Sequence, residues 1–155
     1  MKTDIYIDSI KTPIGLLEVT AVDDAVVSVY FVDQPQPVRV NEITQLAVSQ
    51  LQEYFSGERL SFSLPLLATG SDFQQQVWQA LTTIEYGDTC SYADIANQIN
   101  NPKGVRAVGL ANAKNPMTIV VPCHRVIGKN GDLTGYAGGV DRKAWLLKHE
   151  GVLLT

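Results

Sequence analysis

The apolar residues change their period near residues 68–70, and that change splits the chain into two kinds of structure. Before it, short apolar runs alternate with turn residues: Ile5-Tyr6-Ile7, Thr12-Pro13-Ile14-Gly15, Leu16 to Val22, Asp23-Asp24, then Ala25 to Val32. Strand-forming runs separated by Gly, Pro and Asp turns predict an antiparallel meander. After Pro35-Gln36-Pro37, the residues Ile43, Leu46, Ala47, Leu51, Tyr54 and Phe55 recur at helical spacing until Gly57, which predicts one helix covering the sheet. Leu60, Phe62 and Leu64 then alternate as a short strand before Pro65. Ala68-Thr69-Gly70 is the domain boundary, giving a sheet-and-helix domain over 1–69 and a second domain over 70–155.

Beyond the boundary the pattern is helical. Ser71 with Gln74 three residues on is a capping box, and Phe73, Val77, Trp78, Leu81 and Ile84 form an apolar stripe. Ser91-Tyr92-Ala93-Asp94 is a second capping box, followed by Ile95, Ala96 and Ile99 on the face of Tyr92, with a turn at Asn100-Asn101-Pro102. A helix from about Lys103 to Ala113 has Val105 and Val108 inward and Arg106, Gly109, Leu110 and Ala113 on the other side. Two short helices joined by such a turn predict a helix-turn-helix, whose second helix presents a small outward face apart from Arg106. That face suits either a DNA groove or a neighbouring helix. The last helix carries Asp141 in its first turn, Lys148 and His149 in its last and Gly151 as its stop. Glu150 opposes the helix dipole there, which calls for solvent or a partner such as His124.

Charge separates the two parts as well. Residues 1–70 hold four Lys/Arg against nine Asp/Glu, whereas residues 71–155 hold eight against seven. The net charge of −4 argues against bulk non-specific binding to nucleic acid. Yet Ile95 to Gly131 contains no acid and includes Lys103, Arg106, Lys114, Arg125 and Lys129, enough for a local phosphate-contacting face. No run of eighteen apolar residues occurs, and the N-terminus lacks a signal-peptide pattern, so a cytoplasmic, non-membrane protein is expected. Cys90 and Cys123, with His124 and His149, lack metal-ligand spacing, so neither a metal nor a disulfide framework is expected.

The remaining signal is Pro122-Cys123-His124-Arg125, which follows the apolar run Ile119-Val120-Val121. Read as the end of a strand, it presents Cys123 rigidly beside two basic groups expected to favour the reactive thiolate. The tetrapeptide alone equally allows a small buried cysteine. On an extended segment adjacent side chains point to opposite sides, so His124 reaches the sulfur only through water or a bend. Glu150 is placed to orient that histidine, giving a Cys-His-Glu relay. For His149 and Cys90 the readings are a helix-end cation and a packing residue.

Taken together, these motifs resemble the O6-alkylguanine-DNA alkyltransferases, also called methylated-DNA–protein-cysteine methyltransferases. The resemblance runs through 71–155 by way of Phe73 to Trp78, Ser91-Tyr92, Asn101-Pro102-Lys103, Arg106 to Gly109, Asn115-Pro116, Ile119 to Val126, Gly135 to Gly139 and Trp145 to Gly151. Residues 1–70 match in pattern only. The resemblance implies an α+β fold, with a ribonuclease H-like N-terminal sheet and helix followed by a mainly helical, winged helix-turn-helix-like domain. It implies a monomer that flips O6-alkylguanine, mainly O6-methylguanine with O4-methylthymine left open, out of double-stranded DNA. The alkyl group then passes irreversibly to Cys123 in one turnover, without a cofactor.

In that scheme His124 and Glu150 form the relay, Asn115 ties the active segment, and Tyr92 protonates the departing base. Arg106 fills the gap in the duplex, with Asn101, Gly109 and Lys129 as further DNA contacts, while Val126, Tyr136 and Ala137 line the pocket. Ala137 departs from the small polar residue often found there, and the family's zinc-binding variant is unsupported because residues 1–70 have neither Cys nor His. Three other readings compete: a non-catalytic alkylated-DNA-binding protein, which would lack the cysteine; a cysteine hydrolase or thiol-redox protein; and a helix-turn-helix regulator.

Overall fold

A computed structural model describes residues 4–133, 136 and 138–152, and its chain divides into two units. The first comprises residues 1–69 and 116–120, the second 70–115 and 121–155.

In the first unit, β1 (Tyr6–Thr12), β2 (Gly15–Val22) and β3 (Ala25–Val32) form an antiparallel sheet in the order β1-β2-β3. Pro13-Ile14 and Asp23-Asp24 make the turns, since Thr12 pairs with Gly15 and Val22 with Ala25. Leu17, Val19 and Ala21 alternate along β2 into the core, as a half-buried strand requires. The helix α1 (Glu42–Phe55), capped by Asn41 with a reciprocal bond from Thr44, covers this sheet. Its buried stripe is Thr44, Ala47, Gln50, Leu51 and Tyr54; Leu46, expected in it, is exposed.

Two expected strands are absent, and hydrogen bonding at the free edge of β3 explains both. Residues 60–64 form no ladder; instead Val26 donates to the Pro65 carbonyl and accepts from Leu67 N–H, both at 2.8 Å. In the same way Val29 donates to the Pro116 carbonyl at 2.8 Å and accepts from Thr118 N–H at 3.1 Å. These single-residue bridges occupy edge groups of β3 that would otherwise stay open for pairing. The extended run expected to lead into the cysteine cannot form, because Ile119 has φ +74°. A β-branched residue in the left-handed region breaks strand geometry outright.

The second unit is helical. The helix α2 (Asp72–Leu81) starts at the Ser71–Gln74 capping box, and its Trp78 donates to the Ala111 carbonyl at 2.8 Å. That bond fixes α2 on α4 (Val105–Ala113), against which α3 (Tyr92–Gln98) also packs. Ser91 caps α3 with Asp94 as its reciprocal partner, and Asn100 turns the chain at φ 60°, a conformation asparagine tolerates. Val108 is buried as expected, but Val105 is 38% exposed because it lies in the first turn of α4, outside the packed stripe. A two-residue parallel ladder joins β4 (Cys90–Ser91) to β5 (Val126–Ile127), and α5 (Val140–His149) closes the unit.

Candidate active site

The local fold around Cys123 is set by Pro122. Its φ of −82° and ψ of 63°, with Cys123 N–H donating to the Val121 carbonyl at 2.8 Å, make an inverse γ-turn. A single 3-10 turn, Cys123–Arg125, follows directly. Cys123, His124 and Arg125 are all buried and point in three directions around that turn, not to the two sides of a strand. Two asparagines one turn apart near the end of α4 hold it. Asn115 Nδ2 donates to the Val121 carbonyl at 2.8 Å, and Asn112 Nδ2 to the Cys123 carbonyl at 3.4 Å.

Glu150 is the partner that the relay requires. It caps α5, and Gly151 at φ 83° closes the helix with two backbone bonds, Val152 N–H to Leu147 and Gly151 N–H to Lys148. This is a Schellman closure, so the carboxylate is held by the helix end itself. Its Oε2 lies 2.7 Å from His124 Nε2 with both side chains fully buried. Arg125 grips the same carboxylate, Nε to Oε1 at 2.7 Å and a terminal nitrogen to Oε2 at 3.1 Å, and donates to the Ile84 carbonyl at 2.6 Å.

Arg125 is therefore not part of a phosphate-contacting face. Its guanidinium is buried against Glu150 because a carboxylate at a helix C-terminus needs a compensating cation. The bidentate pair keeps Glu150 ionised, hence an acceptor. Nε2 of His124 must carry the proton, and Nδ1, which finds no hydrogen-bond partner among the described residues, bears the lone pair. Burial depresses the His124 pKa despite the nearby carboxylate, so the ring is neutral near pH 7.

The thiol is not activated in the way its neighbours suggest. Burial pushes the Cys123 pKa up to about 11, while the Asn115 hydrogen bond and the charge of Lys143 pull it down. Cys90, on β4, is also raised to about 11, by burial and Asp94, so thiol acidity alone does not distinguish the two. Lys143 is the residue that sequence reasoning missed. Its side chain is fully buried, burial lowers its pKa to about 8, and its Nζ lies 5.8 Å from the centre of the Tyr92 ring. The signal was available: Lys143, Leu146, Leu147 and Glu150 follow the i, i+3, i+4, i+7 spacing of one helix face.

The other described site residues divide into buried and exposed ones. Tyr92 opens α3 directly after the β4–β5 ladder, with the buried Lys143 ammonium 5.8 Å from its ring centre. Val126 is fully buried, and Tyr136 is buried with its hydroxyl unpaired among the described residues and its pKa well above the usual value, through burial and Cys123. Ala137 lies outside the described residues. Arg106 and Lys129 are exposed, as is Asn101, whose side chain lies against Gly104 so closely that a β-carbon there would come within 2.9 Å of it. Gly109 faces Tyr92, since a β-carbon would lie 3.9 Å from the ring. Among the described residues no cluster of His, Cys, Asp or Glu could hold a metal, and no helix is long and apolar enough to cross a membrane.

Comparison with known proteins gives the same assignment to both parts of the chain. Residues 5–68 match the family model described as 6-O-methylguanine DNA methyltransferase, ribonuclease-like domain, and residues 72–152 the DNA binding domain of that description. A constitutive methylated-DNA–protein-cysteine methyltransferase of Bacillus subtilis is 48% identical, covering 94% of each chain, and one of Mycobacterium leprae is 47% identical over 94% of this chain and 92% of its own. The solved Mycobacterium tuberculosis OGT in complex with DNA superposes with a TM-score of 0.86 at 46% identity, covering 93% of this chain and 91% of that one. With domains of both kinds matched in order and nearly full-length relatives at this identity, the chain belongs to the methylated-DNA–protein-cysteine methyltransferase family.

Proposed function

We propose that the chain repairs DNA by taking the alkyl group of O6-alkylguanine onto Cys123, once per molecule, acting as a monomer on duplex DNA in the cytoplasm. The observation that carries this reading is the buried His124–Glu150 hydrogen bond of 2.7 Å, with Arg125 locking the carboxylate and His124 Nδ1 left as a base.

A thiol with a pKa near 11 is ionised to about one part in ten thousand at pH 7, so reaction depends on a base that removes the proton as the sulfur is used. His124 Nδ1 takes that proton through a bridging water, and Glu150 stabilises the imidazolium. The sulfur forms a bond to the alkyl carbon and the carbon–O6 bond breaks. The electron pair goes to the guanine, which a proton from Tyr92 neutralises. Lys143, buried with Cys123, offsets the charge developing on sulfur. The thioether has no proton to return and no reductant can cleave it, which makes the transfer stoichiometric.

Arg106, Asn101, Gly109 and Lys129 are assigned to the duplex, Arg106 filling the space of the flipped base, with Val126, Tyr136 and Ala137 around the alkyl group and Asn115 holding the Cys123 turn. The test is peptide mass spectrometry after mixing the protein with duplex carrying O6-methylguanine. One methyl group on Cys123 and none on Cys90, saturating at one equivalent, is expected. An unmodified Cys123, or turnover beyond one equivalent, overturns the reading.

A further inference from the structure

Among the described residues four buried side-chain polar atoms have no hydrogen-bond partner, and three of them belong to the second unit: His124 Nδ1, Asn112 Oδ1 and the Tyr136 hydroxyl. Leaving a buried polar group unpaired is costly, so each calls for a reason. His124 Nδ1 has one, as the base of the relay. The other two take no part in it. Asn112 is 1% exposed, on the face of α4 that also buries Val108 and Ala111, and its Nδ2 donates to the Cys123 carbonyl at 3.4 Å. That bond fixes which end of the amide is which, so the orphan is an acceptor lying against the backbone of the nucleophile. Tyr136 is 8% exposed, and Cys123 is among the causes that raise its pKa, which puts the phenol within electrostatic reach of the sulfur. The two orphans do not bond each other, although one accepts and the other can donate. A group that donates to Asn112 Oδ1 and accepts from Tyr136 satisfies both. A hydroxyl does this; an alkyl chain does neither, and a carboxylate has no proton for the amide oxygen.

We propose that Asn112 and Tyr136 form a hydroxyl-recognising subsite beside Cys123, which makes the chain prefer guanine O6-substituents with a hydroxyl on their second carbon, such as 2-hydroxyethyl, over alkyl chains of equal length. This rests on the alkyl-transfer reading above. A hydroxyl so placed stands two bonds from the carbon that sulfur attacks, close enough to be read by groups that surround the thiol. The transfer itself is unchanged. Sulfur bonds the first carbon, the carbon–O6 bond breaks with its electron pair leaving on the guanine, the thiol proton passes to His124, and the hydroxyl is carried over intact. Sites built to bond a substrate hydroxyl discriminate against analogues that lack it, because the buried partners are then left unpaired.

Duplexes carrying O6-methylguanine, O6-(2-hydroxyethyl)guanine or O6-propylguanine are reacted with the unaltered chain, Asn112→Leu and Tyr136→Phe, and single-turnover rates of Cys123 alkylation are read by peptide mass spectrometry. Hydroxyethyl and propyl match in length. Comparing their rate ratio between chains cancels their intrinsic reactivities and any disturbance of the Cys123 turn common to both. The hydroxyethyl-to-propyl ratio is expected to fall about tenfold in Asn112→Leu, as for the loss of one net hydrogen bond, and several-fold in Tyr136→Phe. A ratio within twofold of the unaltered chain in either folded variant overturns the proposal and leaves the two atoms as partners of ordered water only. Tyr136→Phe removes a single oxygen, so it decides the outcome where Asn112→Leu fails to fold. Methyl transfer from O6-methylguanine with unchanged ratios overturns the subsite and leaves the repair reading standing, whereas no alkylation by any of the three duplexes overturns both.

Discussion

Replacing Arg125 by methionine separates the electrostatic argument from a purely steric one. The guanidinium makes two bonds to Glu150 and one to the Ile84 carbonyl, all buried. Its removal takes the buried cation away from a carboxylate that still bonds neutral His124, and breaking one side of such a pair costs about 3–5 kcal/mol. The orphaned carbonyl adds about 1 kcal/mol or more. Roughly 4 kcal/mol is a large part of the 5–15 kcal/mol typical of folded chains. With a urea slope of about 2 kcal/mol per molar, the unfolding midpoint falls by about 2 M. Trp78 and Trp145 both lie in the second unit, so tryptophan fluorescence follows the affected structure.

Two further measurements guard that result. Arg125 lowers the His124 pKa, so in the variant His124 protonates more readily and stands in for the missing cation. The stability deficit is therefore smaller at pH 5.5 than at pH 8, while the alkylation rate, which needs neutral His124, is lost most at low pH. Adding Glu150→Leu to Arg125→Met removes the stranded charge and restores most of the midpoint shift, without restoring alkyl transfer. A single variant within 1 kcal/mol of the unaltered chain, or a double variant less stable than the single, refutes the reasoning.

Glu150→Gln keeps the shape but cannot stabilise the imidazolium, so single-turnover alkylation at pH 7 should slow by 10²-fold or more in a rapid-quench measurement. Lys143→Met should stabilise the fold at neutral pH. With the lysine pKa lowered from 10.5 to about 8, the unfolded chain holds the proton more firmly, a penalty on the order of 3 kcal/mol that is complete below pH 8 and gone by pH 10.5. Urea unfolding at pH 7 and 10.5 should show the variant's advantage at the first and its disappearance at the second, while alkylation slows at pH 7. Arg106→Ala should reduce the rate on O6-methylguanine duplex far more than on free O6-benzylguanine; equal losses would contradict its assignment to the duplex.

Elements whose ends are written in local chemistry were legible in the sequence. The boxes Ser71–Gln74 and Ser91–Asp94 both form, and the tight turns at Pro13-Ile14 and Asp23-Asp24 set the meander's register. What failed was the assignment of apolar runs that serve one bridge each. Residues 116–121 have strand-like composition but attach to the sheet only through Val29, and the bridge to Val26 is made by residues 65–67, just past the run 60–64. The pairing of His124 with Glu150 was legible because an acid at a helix C-terminus demands a partner. Arg125 was misjudged because a lone cation reads as solvated until its buried partner is known, and Lys143 was missed.

The site's charges explain how so weakly acidic a thiol can serve. At rest the buried groups are Arg125 and Lys143, both cationic, and Glu150, anionic, beside neutral His124 and neutral Cys123. Moving the thiol proton to His124 creates an ion pair within the same enclosure, so the net charge of the cluster is unchanged. A proton lost to bulk water would instead add a charge to the enclosure and carry the full desolvation penalty that holds Cys123 near pKa 11. Internal transfer incurs only separation of two charges, each already facing an opposite one: thiolate against Lys143, imidazolium against Glu150. Cys90, raised to a similar pKa but only partly buried, has Asp94 as the charged neighbour behind its shift, where Cys123 has Lys143, and that difference in surroundings favours the proposal that Cys123 is the nucleophile.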